Sequence, residues 1–171
     1  MLPITVFPFM KLLEYHSNLS TWMRGYIQDV VTGIDDEQAW KRYPFINSPG
    51  WTLVHLIVEG ELALAKLDSS YKSTVDRPHD FISGSEGTAR IDLSLTDMVV
   101  KFEEVYDRLD EEVCARLGDL GETPISDEEL KVVLKKDLDY FLHMLTTHLA
   151  MHCDALLKWR FASGMKGPYD E

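Results

Sequence analysis

Residues 138–160 read LDYFLHMLTTHLAMHCDALLKWR. Leu138, Phe141, Leu142, Leu145, Leu149, Leu156 and Trp159 recur close to the helical period of three and four. His148 and His152 fall on the same stripe, so both imidazoles should face the core. Spaced i, i+4, they lie one turn apart on one face and can hold one metal ion together. Two core histidines satisfied by neighbouring hydrogen bonds are the alternative. A third ligand from elsewhere in the chain separates the two readings.

The rest of the chain supplies partners for that helix. A first long helix is expected over about Phe9 to Val31, with Phe9, Leu12, Leu13, His16, Leu19, Met23, Tyr26, Ile27 and Val30 inward. Lys11, Asn18, Arg24 and Gln28 are expected outward. Gly33 is a stop signal, and Asp35-Asp36-Glu37 can start a short turn through Trp40. Tyr43 to Asn47 should be extended, because a pre-proline residue resists the α region.

A second helix opens at Asn47-Ser48-Pro49, where Ser48 can cap and Pro49 suits the first helical position. It is apolar most of the way round through Leu67, as an interior helix is. The link from Asp68 to Leu93 is long enough to be a crossover or a functional segment. A third helix is expected from about Ser94 to Leu117, ended by Gly118 and Gly121. A short helix from Ser126 to about Leu134 follows, where Ser126 and Glu129 make a capping-box pattern. The last helix should stop at Gly164.

This pattern describes an all-α, single-domain chain over residues 1–171, a four-helix bundle with short extra helices and a long crossover between helices 2 and 3. The crossover can return the chain to its starting end, making helices 2 and 3 parallel.

A net charge of −12 argues against a nucleic-acid partner, which needs clustered Lys and Arg. No run of 18 apolar residues exists, so no membrane span is expected. Met1 to Met10 has neither a basic opening nor a small-residue cleavage site, so no signal peptide is expected. Cys114 and Cys153 are too few for a disulfide framework, which fits a reducing cytoplasm.

His55 is the best third ligand: it lies on the buried second helix, and an antiparallel last helix brings His148 and His152 level with it. Three histidines with an open position is a catalytic pattern, whereas structural zinc sites are usually closed by four ligands. Glu59, one turn from His55, is a candidate fourth ligand, general base or supporting residue; a solvated or salt-bridged role is the plainer reading. His16 should lie about 15 Å along the axis and be structural. His143 should be too far round the helix to share the face of His148. His79 should be solvated, as should Glu61 and Asp154. Cys153 should pack as a small hydrophobe, and Trp51, Tyr106 and Trp159 as core or bundle-end aromatics.

Pro49-Gly50-Trp51-Thr52-Leu53-Val54-His55-Leu56 resembles the tryptophan-to-histidine segment of the DinB/YfiT-like superfamily. His148-Leu149-Ala150-Met151-His152, followed by Leu157-Lys158-Trp159-Arg160, resembles its closing helix. The resemblance covers nearly the whole chain in helix order. It implies an up-down-down-up bundle that binds a divalent metal through His55, His148 and His152. Relatives include thiol S-transferases, a mycothiol-dependent isomerase and many proteins of no known activity. A Gly-Gln pair commonly follows the last histidine in the family; here it is Cys153-Asp154.

The expected function is therefore that of a divalent-metal protein. Zinc or nickel is the expected metal, although histidine nitrogens also suit iron and copper. It would activate a low-molecular-weight thiol or a water at the open position, as a thiol transferase or a hydrolase. A non-catalytic ligand-binding or dimerisation bundle is the alternative, and a metal-free structural bundle a third. A homodimer is the expectation from the resemblance and from apolar Phe7, Phe9 and Trp22.

Overall fold

The computed structural model describes residues 6–126 and 130–170, with side chains from residue 14 onward. The expected stripe positions Phe9, Leu12 and Leu13, together with Phe7 and Lys11, fall outside the described side chains. The capping box ending at Glu129 and the chain before Val6 fall outside the described residues.

Among the described residues the chain forms α1 (Val6–Val31), α2 (Pro49–Leu67), α3 (Leu95–Ala115), α4 (Leu117–Glu122), α5 (Asp137–Leu145) and α6 (Thr147–Ala162). Single 3-10 turns lie at Gln38–Trp40, Pro78–Phe81 and Leu130–Val132. No strand occurs among the described residues, only isolated bridges at Tyr43–Ile46 and Pro124–Lys136. The fold is all-α, as the periodicity implied. No described helix is long and apolar enough to cross a membrane.

The local signals act where the sequence places them. Ser48 caps α2, its hydroxyl accepting from the Trp51 amide at 3.3 Å, with Pro49 at the first position. Ser94 caps α3 by accepting from the Asp97 amide at 3.0 Å. Gly33 and Gly164 stand at positive φ just past α1 and α6, where a side chain would be strained.

Four expectations need correction. The segment after Tyr43 is a tight turn rather than an extended link: the Ile46 amide donates to the Tyr43 carbonyl at 3.0 Å. Pro44 occupies the position that favours such a turn, and Phe45 takes the positive φ of 65° that a type II turn needs next. The third helix ends at Ala115, and Gly118 lies inside α4 instead of stopping it, because the chain restarts after a break at Arg116. The last helix is two segments, broken at Thr146 (φ −133°, ψ −78°). There the Thr146 hydroxyl donates to the Leu142 carbonyl at 2.6 Å, a back-bond that bends helices.

The fourth correction is Arg24, which is buried rather than outward. Its guanidinium meets Glu103 at 2.8 Å and Asp107 at 2.6 Å, both on α3. Gln28 also donates to Glu103 and Ser17 to Asp110, both at 2.6 Å. These pairs climb α1 while descending α3, so the two helices are antiparallel. A buried cation is tolerated because carboxylates meet it.

α2 packs along α3, and α1 along α6. A Cβ on Gly60 would sit 2.6 Å from Val105 Cγ1 and 3.1 Å from Tyr106 Cε2, so only glycine lets α2 and α3 approach this closely. Ile27, Leu53, Leu56, Phe102, Leu109 and Leu149 are wholly buried between the helices. Each such side chain contributes about 1.5–3 kcal/mol of transfer free energy. Arg160 closes the α1–α6 pair by donating to the carbonyls of Val30 and Thr32 at 2.9 and 2.7 Å.

Candidate metal centre

The site starts from the cap of α2. Gly50 lies against the 38–40 turn, where a Cβ would come within 3.0 Å of both the Ala39 carbonyl and the Trp40 ring. That contact, with the Ser48 cap, sets the direction in which Trp51 and His55 leave the helix. One turn apart, their rings stack at 5.1 Å between centroids and 8° between planes. The long crossover then supplies two carbonyls. Asp80 accepts from the Trp51 indole at 3.3 Å, and Phe81 lies 2.6 Å from His55 Nδ1.

A carbonyl can only accept, so His55 carries its proton on Nδ1 and presents a bare Nε2. That Nε2 faces His152 Nε2 at 3.1 Å, and His152 Nε2 faces His148 Nε2 at 3.2 Å. One ring nitrogen from each of the three histidines lies within 4.8 Å of the others, the single such grouping among the described residues. The three residues expected to converge do converge.

Three neutral imidazoles in this arrangement cannot satisfy one another. His55 has no proton on its inward nitrogen, and a proton on His152 Nε2 could serve only one of its two neighbours. Burial lowers the pKa of all three. It is the largest cause at His148, pushed down to about 3 with help from His152, His55 and His143. At His152 burial and then His55 lower the value to about 4. At His55 burial prevails over the opposing Phe81 bond and the Glu59 charge. All three imidazoles are therefore uncharged at neutral pH, with the Nε2 atoms of His55 and His148 both facing His152 Nε2.

The donor set fits a divalent cation. Zinc–nitrogen bonds of about 2.0–2.1 Å in a tetrahedron separate ligand nitrogens by roughly 3.3 Å, close to the two observed spacings. The Phe81 carbonyl on the far nitrogen of His55 is the usual outer support of a metal-ligating histidine. His148 lacks such support, since its Nδ1 is buried without a partner.

The cluster opens onto a cavity of about 840 Å³, within the range of small-molecule sites. Glu59 lines it, with its carboxylate 4.0 Å from His55 Nδ1 and a fifth of its side chain exposed. It lies outside the three-nitrogen grouping. Ser83, Gly84 and Ser85 of the crossover also line the cavity.

His143 was expected to face away from His148, yet their ring centroids are 5.9 Å apart and both line the cavity. The break at Thr146 removes the fixed 100° phase between residues, so a rotation counted along a continuous helix does not apply. His16 lies on α1 outside the grouping, as expected. Glu61, expected to face solvent, is buried. It accepts from Ser73 Oγ at 2.5 Å, from the Thr74 amide at 3.0 Å and from the Thr74 hydroxyl, tying the crossover to α2.

The remaining candidates follow their expected roles. His79 is exposed beside Asp80, and exposed Asp154 pairs with Lys158. Cys153 is buried, and burial pushes its thiol up to about 11, so it stays protonated at neutral pH. Trp159 and Tyr106 are core aromatics. Trp51 is more than that, because it stacks on a candidate ligand. Its i, i+4 spacing to His55 was the signal that could have found this.

No curated protein and no solved structure matches the chain significantly. A family model described as the DinB superfamily matches residues 20–156, which takes in α2, the crossover and all three histidines, and the chain belongs to that superfamily.

Proposed function

We propose that this protein is a divalent-metal enzyme in which His55, His148 and His152 hold the ion, zinc or nickel, and Glu59 serves as the proton acceptor. The convergence of a ring nitrogen from each of three uncharged histidines beside an open cavity carries this reading. When bound, the metal supplies Lewis acidity that lowers the proton affinity of a thiol or water near neutral pH. The protein's own groups do the rest. Phe81 and Trp51 hold His55 in its tautomer and plane, and α6 carries the other two rings on one face. Glu59, on the cavity wall, takes the proton that the nucleophile gives up.

The reaction we infer is transfer of a small thiol to an electrophile, as in the thiol transferases of the superfamily. Hydrolysis is the second reading, favoured by the position of Glu59 on the cavity wall. An up-down-down-up order of the four long helical stretches, with α5 and α6 together as the last, agrees with the antiparallel α1–α3 register. A cytoplasmic location agrees with two free cysteines, and a homodimer with exposed Trp22 on α1.

A panel of cellular thiols against model electrophiles, run with metal-loaded and metal-stripped protein, tests the proposal. Turnover should require metal and be lost in His152→Ala. Equal rates in both preparations would make the bundle a binder instead.

A further inference from the structure

The cavity has a direction. Along α2, His55, Glu59, Leu62 and Lys66 follow one another at three- and four-residue steps, and all four line it. Along the facing wall, His152, His148, Met144 and Tyr140 follow at four-residue steps in the opposite sense, through α6 and back into α5. Both ends of this register are fixed by contacts. At one end His55 Nε2 is 3.1 Å from His152 Nε2, and at the other Lys66 Nζ lies 4.5 Å from the Tyr140 ring centroid. The intervening wall carries Glu59 on α2 and His143 opposite, with apolar Leu62 and Ala65 on α2 and Met144 on α5.

Lys66 is eleven residues beyond His55, about 16 Å at 1.5 Å per residue. Helical side chains lean toward the N-terminus, so its ammonium group reaches back to roughly 10 Å from the histidine cluster. It is the one permanent cation among the described lining residues, and no described carboxylate pairs with it. The Tyr140 ring holds it at the cavity's outer end by a cation–π contact. On a chain of net charge −12, a local cation is what makes an anion welcome there.

We infer that the cavity takes an elongated organic anion, with its acidic group at Lys66, an apolar midsection between Leu62 and Met144, and its reacting end at the three histidines. The last element rests on the proposed metal function; the first two do not.

The test uses straight-chain carboxylates and the primary amides of the same lengths, titrated into metal-stripped protein by calorimetry. Removing the metal prevents the carboxylate from binding the ion directly. Carboxylates should bind about tenfold tighter than amides, with an optimum chain length. In Lys66→Met, which keeps an apolar stem, this preference should vanish while amide binding is unchanged. Carboxylates no tighter than amides, or a preference that survives Lys66→Met, would overturn the inference. A second arm adds a terminal thiol to the best carboxylate and uses metal-loaded protein. Gain of affinity from the thiol supports the metal end. No gain, with the first arm intact, overturns the metal reading and leaves the anion end standing.

Discussion

His55 Nδ1 lies 2.6 Å from the main-chain oxygen of Phe81, a residue from a different part of the fold. A crossover 3-10 turn therefore decides which nitrogen of a helix residue is free to bind a ligand. The neighbouring carbonyl, Asp80, holds Trp51, which stacks on the same imidazole. Trp51→Phe keeps an aromatic ring but loses the indole donor. It should cost about 1 kcal/mol of stability and lower metal affinity by about tenfold, the low end of what changes to outer-shell partners cost. Chemical denaturation and competition against a chromophoric chelator measure the two effects. An unchanged metal affinity would show that the Phe81 contact alone orients His55.

Metal content should follow the histidine grouping. His55→Ala, His148→Ala and His152→Ala should each lose stoichiometric metal yet remain helical by circular dichroism, since an open site contributes less to folding than a closed one. His16→Ala should keep its metal. His143→Ala should keep it too, because His143 is near His148 but outside the grouping. Elemental analysis of protein purified without a histidine tag decides each case, and full occupancy in His55→Ala would remove the triad.

Stability of the metal-free protein should fall with pH through the histidine range. His148 and His152 have folded values near 3 and 4 against 6.5 in the unfolded chain. Below 6.5 the unfolded state binds protons that the folded state refuses, so these groups' contribution is complete above 6.5 and is lost as pH falls toward 3. A metal-free His148→Ala/His152→Ala variant should lose less stability between pH 7 and pH 5. Parallel urea titrations at those two values supply the comparison; equal losses would mean that the histidines are not buried neutral.

Gly60 should resist enlargement despite lying in a helix, where alanine is favoured by roughly 1 kcal/mol. The added Cβ would meet Val105 at 2.6 Å, and overpacking costs about 1–3 kcal/mol. Gly60→Ala should therefore lower the melting temperature, and adding Val105→Ala should recover part of it. A thermal melt of the single and double variants checks the sign; a more stable Gly60→Ala would mean that α2 and α3 can separate freely.

Arg24→Met should destabilise the bundle by about 1–3 kcal/mol. It leaves Glu103 and Asp107 without their cation, but both are partly exposed and water can replace some of it. The loss should shrink when Glu103 is also replaced by Gln, as a double-mutant cycle would show.

The helices themselves were legible because apolar spacing and caps are local: Ser48, Ser94, Gly33 and Gly164 act within a turn of where they stand. His148 and His152 were legible as a pair for the same reason, since i, i+4 spacing places two rings on one face whatever surrounds them. Adding His55 rested on its place in a buried helix and on an antiparallel last helix, and the fold brought all three together. Other features depend on contacts between distant segments, which no local period encodes. Arg24 reads as a surface residue until α3 brings Glu103 and Asp107 to it, and Glu61 until the crossover folds Ser73 and Thr74 onto it. His143 reads as pointing away until the break at Thr146 resets the helix phase. The tautomer of His55 was beyond the sequence for the most direct reason: a main-chain carbonyl carries no side-chain signature, and only the path of the crossover places Phe81 against the ring.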